Sequence, residues 1–212
     1  MAEVTEPAGL DAGLIALIRL SRELGRGVDG DVVGALKASL EAADPVEVEE
    51  ALLQSYLFLG YPTALNAFAQ WRKISGRRAL GPESELAEDD WAGWADRGRR
   101  VCRTVYAGQY EGLRDNIRRL SPEMERWMVT EGYGKVLGRP GLDLFRRECC
   151  IVAILATLGV QTQLYSHLRG ALQTGGTPAQ VWEALETALE GMPESRRLAA
   201  LETWDSLKQR VT

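Results

Sequence analysis

One apolar stretch constrains the fold of this chain more than any other feature. Residues 149–158 read Cys-Cys-Ile-Val-Ala-Ile-Leu-Ala-Thr-Leu, and Gly159 follows directly. Apolar residues then return at helical spacing at Leu164, Leu168 and Leu172. A helix that buries one face repeats apolar residues every three or four positions, and glycine is common just past a helix end. The sequence therefore predicts two buried helices that meet near Gly159.

Two polar residues stand on opposite arms of this predicted hairpin. Glu148 precedes the apolar run, and His167, the only histidine of the chain, lies in the second helix. At a rise of about 1.5 Å per residue, Glu148 lies roughly 16 Å before Gly159 and His167 roughly 12 Å after it, so antiparallel packing brings them to a similar level. Imidazole titrates near neutral pH, as a general acid or base requires. We predict that Glu148 and His167 share a cleft and are catalytic.

Each of these two residues also has an ordinary structural interpretation. A single histidine on an apolar helix is often a core residue with its hydrogen bonds satisfied. Glu148 is flanked by Arg146 and Arg147, so it can equally be a solvated charge on the helix surface.

The spacing of these residues resembles a known family. His167 follows Glu148 by nineteen positions, and Gly170-Ala171-Leu172 and Gly175-Gly176-Thr177-Pro178 come next. This pattern resembles the carboxymuconolactone decarboxylase and alkyl hydroperoxidase D-like superfamily, clearly in the second half of the chain and more weakly in the first. The resemblance implies an all-α fold. It also implies a homo-oligomer, because members assemble into closed rings, here a trimer or a dimer-based ring.

The hydroperoxidase branch of this superfamily carries a Cys-x-x-Cys pair at the start of the second helix. The corresponding positions here are Val160 and Gln163, and neither is a cysteine. The chain therefore resembles a form that lacks the Cys-x-x-Cys, and it looks more like the decarboxylase branch.

The adjacent Cys149 and Cys150 are candidates for redox chemistry of another kind. Neighbouring residues of a helix point in different directions and cannot easily form a disulfide with each other. We predict that both are small buried apolar residues. The alternative is one reactive thiolate, activated by positive charge from Arg146, Arg147 or His167.

The two halves of the chain share a pattern of cap, proline and glycine residues. We interpret it as a tandem, degenerate repeat of an alkyl hydroperoxidase D-like helical bundle. The matching segments, at offsets between 131 and 136 residues, are Asp44-Pro45 with Thr177-Pro178, Gly60-Tyr61-Pro62 with Gly191-Met192-Pro193, Trp71 with Trp204, and Gly34-Ala35-Leu36 with Gly170-Ala171-Leu172.

These offsets divide the chain into three parts. Residues 1–75 form a degenerate N-terminal repeat, residues 76–140 a helical linker segment with a glycine-rich loop, and residues 141–212 the C-terminal repeat with Glu148 and His167. On the same offsets His167 falls on Asp31, and Glu148 falls near Gly13 or Leu14. Only the second half is therefore expected to be catalytic.

The glycine-rich segment Gly132–Gly141 precedes the Glu148 helix. It lacks the Gly-Lys-Ser/Thr ending and the preceding strand of a phosphate-binding loop. We predict instead a loop at the pocket mouth that offers Tyr133, Lys135 and Arg139 to an anionic substrate.

Composition excludes several classes of function. The chain has 212 residues, 45% of them hydrophobic, and a formal net charge of −5 with scattered basic residues, so we predict a globular protein that does not bind nucleic acid.

Glu3 and Glu6 stand where a secretory signal needs basic residues, and the longest apolar run is too short to span a membrane. Three cysteines do not make a disulfide framework. One histidine does not supply a metal site. The expected location is cytoplasmic.

These observations lead to one functional hypothesis and two alternatives. We predict a cofactor-independent lyase or isomerase that acts on a small carboxylated lactone or related acid. His167 would move the proton, Glu148 would orient the imidazole, and Lys135 or Arg139 would hold the substrate carboxylate. The first alternative is a peroxidase-like antioxidant protein that uses Cys149 or Cys150. The second is a non-catalytic interaction scaffold.

Overall fold

The computed structural model describes residues 9–79 and 91–211, and all regular structure within them is helical. The predicted all-α fold is therefore confirmed. Glu3, Glu6 and residues 80–90 of the predicted linker segment lie outside the described residues.

The helices follow one another along the chain in three groups. The first group is α1 (Ala12–Gly25), α2 (Val32–Ala42) and α3 (Pro45–Ser75). The second is α4 (Trp91–Tyr106), α5 (Tyr110–Leu120), α6 (Pro122–Trp127) and a π-helix (Met128–Leu137). The third is α7 (Leu144–Leu158), α8 (Gln161–Gln173), α9 (Pro178–Leu189) and α10 (Glu194–Val211).

Helix α3 is broken at Gly60. The backbone there adopts φ 79° and ψ 165°, a conformation that only glycine reaches without strain. Pro62 follows, and it lacks the N–H that an uninterrupted helix would need. The break separates a first arm, residues 45–59, from a second arm, residues 61–75.

A buried carboxylate ties the two arms of α3 together. Glu49 on the first arm accepts hydrogen bonds from Trp71 Nε1 at 3.1 Å, from Arg72 at 2.6 and 3.0 Å, and from Arg77 Nε at 2.9 Å. Burial opposes ionisation of this carboxyl. The hydrogen bonds from Arg72, Arg77 and Trp71 outweigh that effect and lower the pKa of Glu49 to about 2.

We expect Glu49 to contribute to acid stability. Because its pKa falls from 4.5 to about 2 on folding, its contribution is complete above pH 4.5 and is lost as the pH drops towards 2. The variant Glu49→Gln should therefore lose stability at neutral pH and show a flatter decline between pH 4.5 and 2. Urea unfolding at a series of pH values measures this, and a decline as steep as that of the wild type would contradict it.

Helix α4 and the π-helix pack with their backbones in contact. A Cβ atom on Gly98 would lie 1.9 Å from the Val129 oxygen, and one on Gly134 would lie 2.0 Å from the Trp94 oxygen. The prediction of a glycine-rich loop from 132 to 141 was therefore wrong for residues 132–137, which are helical, and only residues 138–143 form a loop. Gly134 serves close helix packing there.

The predicted hairpin of α7 and α8 is confirmed. Gly159 ends α7 in the left-handed conformation, with φ 71°. Asp143 caps the start of α7 by accepting a hydrogen bond from the Arg146 N–H at 2.9 Å. The apolar faces of both helices are buried in one core with residues of α4 and the π-helix. Residues 91–137, predicted as part of a linker segment, thus complete the core around the hairpin.

The helices of the two halves have the same order. Helices begin at Pro45 and Pro178, and breaks follow at Gly60 and between α9 and α10. This order is the one that a duplication would produce. The repeat and its boundaries at 75 and 140 remain predictions.

Candidate active site

The structure brings Glu148 and His167 into direct contact. Glu148 lies in the second turn of α7 and His167 in the second turn of α8, and the distance from Glu148 Oε2 to His167 Nδ1 is 2.7 Å. Glu148 is 1% exposed and His167 is 7% exposed. The interpretation of Glu148 as a solvated surface charge was therefore wrong, because its carboxylate is buried against the imidazole.

Gly170 makes this contact sterically possible. A Cβ atom at position 170 would lie 2.6 Å from Glu148 Oε2 and 2.9 Å from Val105 Cγ1. Since real Cβ atoms do not approach other atoms so closely, any side chain here would displace the carboxylate or α4. The glycine that follows His167 in the sequence pattern thus has a physical role in the site.

The hydrogen bond determines which ring nitrogen of His167 is available to a ligand. An ionised carboxylate only accepts hydrogen bonds, so Nδ1 must carry the proton that is shared with Glu148. In the neutral ring this places the free lone pair on Nε2. Neither His167 Nε2 nor Glu148 Oε1 has a hydrogen-bond partner among the described residues. Two acceptors at one buried site are therefore available to a ligand.

Aromatic side chains surround the pair. The rings of Phe58 and His167 meet edge to face, with centroids 6.0 Å apart and an interplanar angle of 84°. The Tyr133 and Tyr106 hydroxyls are hydrogen-bonded at 2.9 Å. Burial, with a further contribution from the Glu148 charge, raises the pKa of both phenols, so they remain protonated at neutral pH. Tyr133, predicted at a pocket mouth, is a core residue that is 3% exposed.

Lys135 and Arg139 do not join the Glu148–His167 pair. Lys135 Nζ lies over the Trp94 ring, 5.1 Å from its centroid. Arg139 binds the Glu50 carboxylate, at 3.1 Å from Nε and 3.0 Å from Nη2. The loop with Arg139 lines a surface cavity of about 440 Å³, and neither Glu148 nor His167 contributes to its walls. A role of Arg139 or Lys135 in substrate binding remains a prediction.

A buried polar cluster that was not predicted from the sequence lies next to the pair. We call it the Glu50 cluster, and it consists of Glu50, Gln54, Arg139 and Arg147. Arg147 Nη2 lies 2.8 Å from Glu50 Oε2, and Nη1 lies 3.3 Å from Gln54 Oε1. Arg147 is 1% exposed. Because Arg147 precedes Glu148, this cluster anchors the first turns of α7 to α3 and so positions the Glu148 carboxylate.

One sequence signal pointed to this cluster. Glu50 stands in the first arm of α3, directly before the apolar run Ala51, Leu52 and Leu53. A carboxylate at such a position needs a cationic partner if it is buried. The sequence does not reveal that the partners are Arg139 and Arg147, which lie about 90 residues away.

The cysteines are unsuited to thiolate chemistry. Cys149 and Cys150 are both 0% exposed. Burial raises the pKa of Cys149 well above its usual value and that of Cys150 to about 11. A thiol must ionise to act as a nucleophile. The arrangement agrees with the prediction of buried apolar residues.

We therefore expect the native protein to react slowly with thiol reagents and to lack hydroperoxide reductase turnover. Ellman's reagent should detect the cysteines only after unfolding in guanidinium, and organic hydroperoxide should not be consumed. Hydroperoxide turnover that disappears in Cys149→Ser or Cys150→Ser would contradict this and support the antioxidant alternative.

The chain is similar to known proteins in two respects. Residues 122–202 match the family model of the carboxymuconolactone decarboxylase family, a range that includes both Glu148 and His167. The predicted resemblance to this family is therefore confirmed for that part of the chain. The chain is also similar to Peroxisomal protein 2 of Schizosaccharomyces pombe, with 26% identity over 163 residues, which covers 75% of this chain and 76% of that protein.

Two further findings concern membranes and metals. In residues 9–79 and 91–211, no helix has both the length and the apolar character needed to cross a membrane. Within the same residues, His, Cys, Asp and Glu side chains do not form a group of three or more that could hold a metal ion.

Proposed function

We propose that Glu148 and His167 are the proton-transfer unit of a cofactor-independent lyase or isomerase that acts on a small carboxylated lactone or related acid. The observation that carries this proposal is the buried 2.7 Å contact between Glu148 Oε2 and His167 Nδ1, with Nε2 left without a hydrogen-bond partner among residues 9–79 and 91–211. The match of residues 122–202 to the carboxymuconolactone decarboxylase family supports the same chemistry.

The pair can act as a general base at carbon. His167 Nε2 takes a proton from a carbon next to a carbonyl, and the electron pair of that C–H bond moves into the carbonyl to form an enolate. The imidazolium that results is stabilised by the negative charge of Glu148. Return of the proton to a different carbon completes an isomerisation. Low exposure strengthens the charge interaction because little water competes with it.

The same pair can act as a general acid in decarboxylation. The bond between the substrate carbon and its carboxylate breaks, carbon dioxide leaves, and the electron pair moves into the lactone carbonyl system. His167 then donates its Nε2 proton to that carbon, and solvent restores the proton. Glu148 holds the ring orientation through both steps by accepting from Nδ1.

The geometry favours this proposal over a scaffold without activity. Burial of a carboxylate and an imidazole is costly, and apolar residues of similar size often replace such pairs without loss of stability. The Glu148 carboxylate also requires Gly170 for space. Chemistry at the Nε2 atom explains why the protein keeps a pair of residues that is costly to bury.

A proton-exchange experiment tests the proposal before the substrate is known. The purified protein is incubated in D₂O with a series of small carboxylated lactones, and NMR follows deuterium incorporation and loss of the carboxylate carbon. We expect at least one compound to exchange or decarboxylate with the wild type and not with His167→Gln. Exchange at equal rates in both proteins, or none with any compound, would overturn the proposal.

A further inference from the structure

We propose that Phe58 controls access to His167 Nε2 and thereby limits the size of the substrate that reaches it. The inference rests on the proposed function in one respect, because it takes Nε2 as the reacting atom. It adds a residue from the first half of the chain, outside the range that matches the family model.

Phe58 is an aromatic side chain in contact with the imidazole. The two rings meet edge to face at 6.0 Å between centroids. The Nδ1 edge of the His167 ring faces the buried Glu148 carboxylate, so Nε2 faces away from α7. The side chain of His167 nevertheless remains only 8% exposed. A molecule that reaches Nε2 must therefore pass neighbouring side chains, and Phe58 packs directly on the ring.

Phe58 lies in the last turn of the first arm of α3, where burial decreases. Gln54 and Ser55 are 0% exposed, whereas residues 56–60 are all partly exposed. Gly60 then leaves the helical conformation. The last turn of a helix has carbonyls without intrahelical partners, and helix ends open at lower free energy than helix centres. This turn is therefore the part of α3 best placed to move away from His167.

A hydrogen bond and a ring stack hold the turn in place. The Tyr56 hydroxyl donates to Glu131 Oε1 of the π-helix at 3.1 Å. The Tyr56 ring also stacks on Tyr61, across the Gly60 break, with centroids 4.9 Å apart. Burial and the nearby Glu131 charge raise the pKa of Tyr56, so its hydroxyl stays protonated and remains a donor at neutral pH. Tyr56 thus acts as a latch that keeps Phe58 against the imidazole.

The single histidine allows a direct test that needs no substrate. Diethyl pyrocarbonate acylates an accessible neutral imidazole, and the adduct is followed by its ultraviolet absorbance. We expect Phe58→Ala to increase the rate of His167 modification severalfold over the full-length wild type. We expect Tyr56→Phe, which removes only the latch hydroxyl and keeps the ring stack, to give a smaller increase.

A matched control separates access from general loosening. Phe68→Ala makes the same change on the second arm of α3, where Phe68 packs against the N-terminal core and Arg72. Its modification rate should equal that of the wild type. If Phe68→Ala accelerates modification as much as Phe58→Ala, or if folded Phe58→Ala reacts at the wild-type rate, the proposal is overturned.

Further variants keep the test decisive if Phe58→Ala does not fold. Phe58→Leu should accelerate modification and Phe58→Trp should slow it, and the reverse order contradicts the proposal. The lactone assay is read separately. If His167→Gln does not change lactone turnover, only the proposed function is overturned. If turnover depends on His167 but the Phe58 variants are modified at the wild-type rate, only the role of Phe58 is overturned.

Discussion

Replacement of His167 by glutamine is expected to lower the turnover of a carboxylated lactone on the order of a hundredfold or more, the usual contribution of general acid–base catalysis. Glutamine keeps the size and polarity of the side chain but cannot take up or release a proton near neutral pH. The measurement is kcat for the wild type and for His167→Gln on the same compound, with circular dichroism to establish that both are folded.

Variants of Glu148 are the matched controls for this result. Glu148→Gln retains a carbonyl oxygen that can accept from Nδ1 but removes the negative charge, so we expect a smaller loss than in His167→Gln. Glu148→Leu removes both and should approach the loss seen in His167→Gln. A His167→Gln variant that turns over the compound within a factor of about two of the wild type would show that the imidazole does not transfer the proton.

Replacement of Glu50 by alanine is expected to destabilise the fold by about 3–5 kcal/mol. Glu50 is the carboxylate shared by Arg139 and Arg147 in the Glu50 cluster. Its removal leaves two guanidinium groups without their common anion. The large cost comes from the charge on Arg147, which is 1% exposed. Urea unfolding at neutral pH measures the change.

Glu47 provides the control one turn earlier on the same helix arm. It lies 3.4 Å from Arg146, and its side chain is 22% exposed. Since ion pairs near the surface contribute little, Glu47→Ala should change the free energy of unfolding by about 1 kcal/mol or less. Equal losses for Glu47→Ala and Glu50→Ala would show that the buried cluster does not hold α3 and α7 together in the way described.

Local patterns in the sequence predicted much of this molecule. The apolar period of residues 149–172 and the glycine at 159 predicted the α7–α8 hairpin. The helical rise then placed Glu148 and His167 at the same level, and the structure joins them at 2.7 Å. Both predictions depend on residues close together in sequence, where helix geometry is nearly fixed.

Features that depend on distant residues were not predictable in this way. Gly132 and Gly134 indicated a loop, because glycine is unfavourable in helices, yet Gly134 lies in a π-helix where α4 packs against its backbone. Nothing in the sequence indicated that Arg147 is buried, because Glu50, which holds it in the core, lies 97 positions earlier. The position of Phe58 next to His167 could not be predicted from the sequence, because the contact exists only after α3 packs on the hairpin.

The tautomer of His167 tests the central claim most directly. The claim is that Glu148 holds the proton on Nδ1 and leaves Nε2 free to react. Because the chain contains a single histidine, ¹⁵N-histidine labelling gives one pair of ring signals, and their shifts and couplings to the carbon-bound ring protons identify the protonated nitrogen. At a pH where the ring is neutral, we predict the Nδ1–H form in the wild type and its loss in Glu148→Leu. A neutral ring that carries its proton on Nε2 in the wild type would contradict the account.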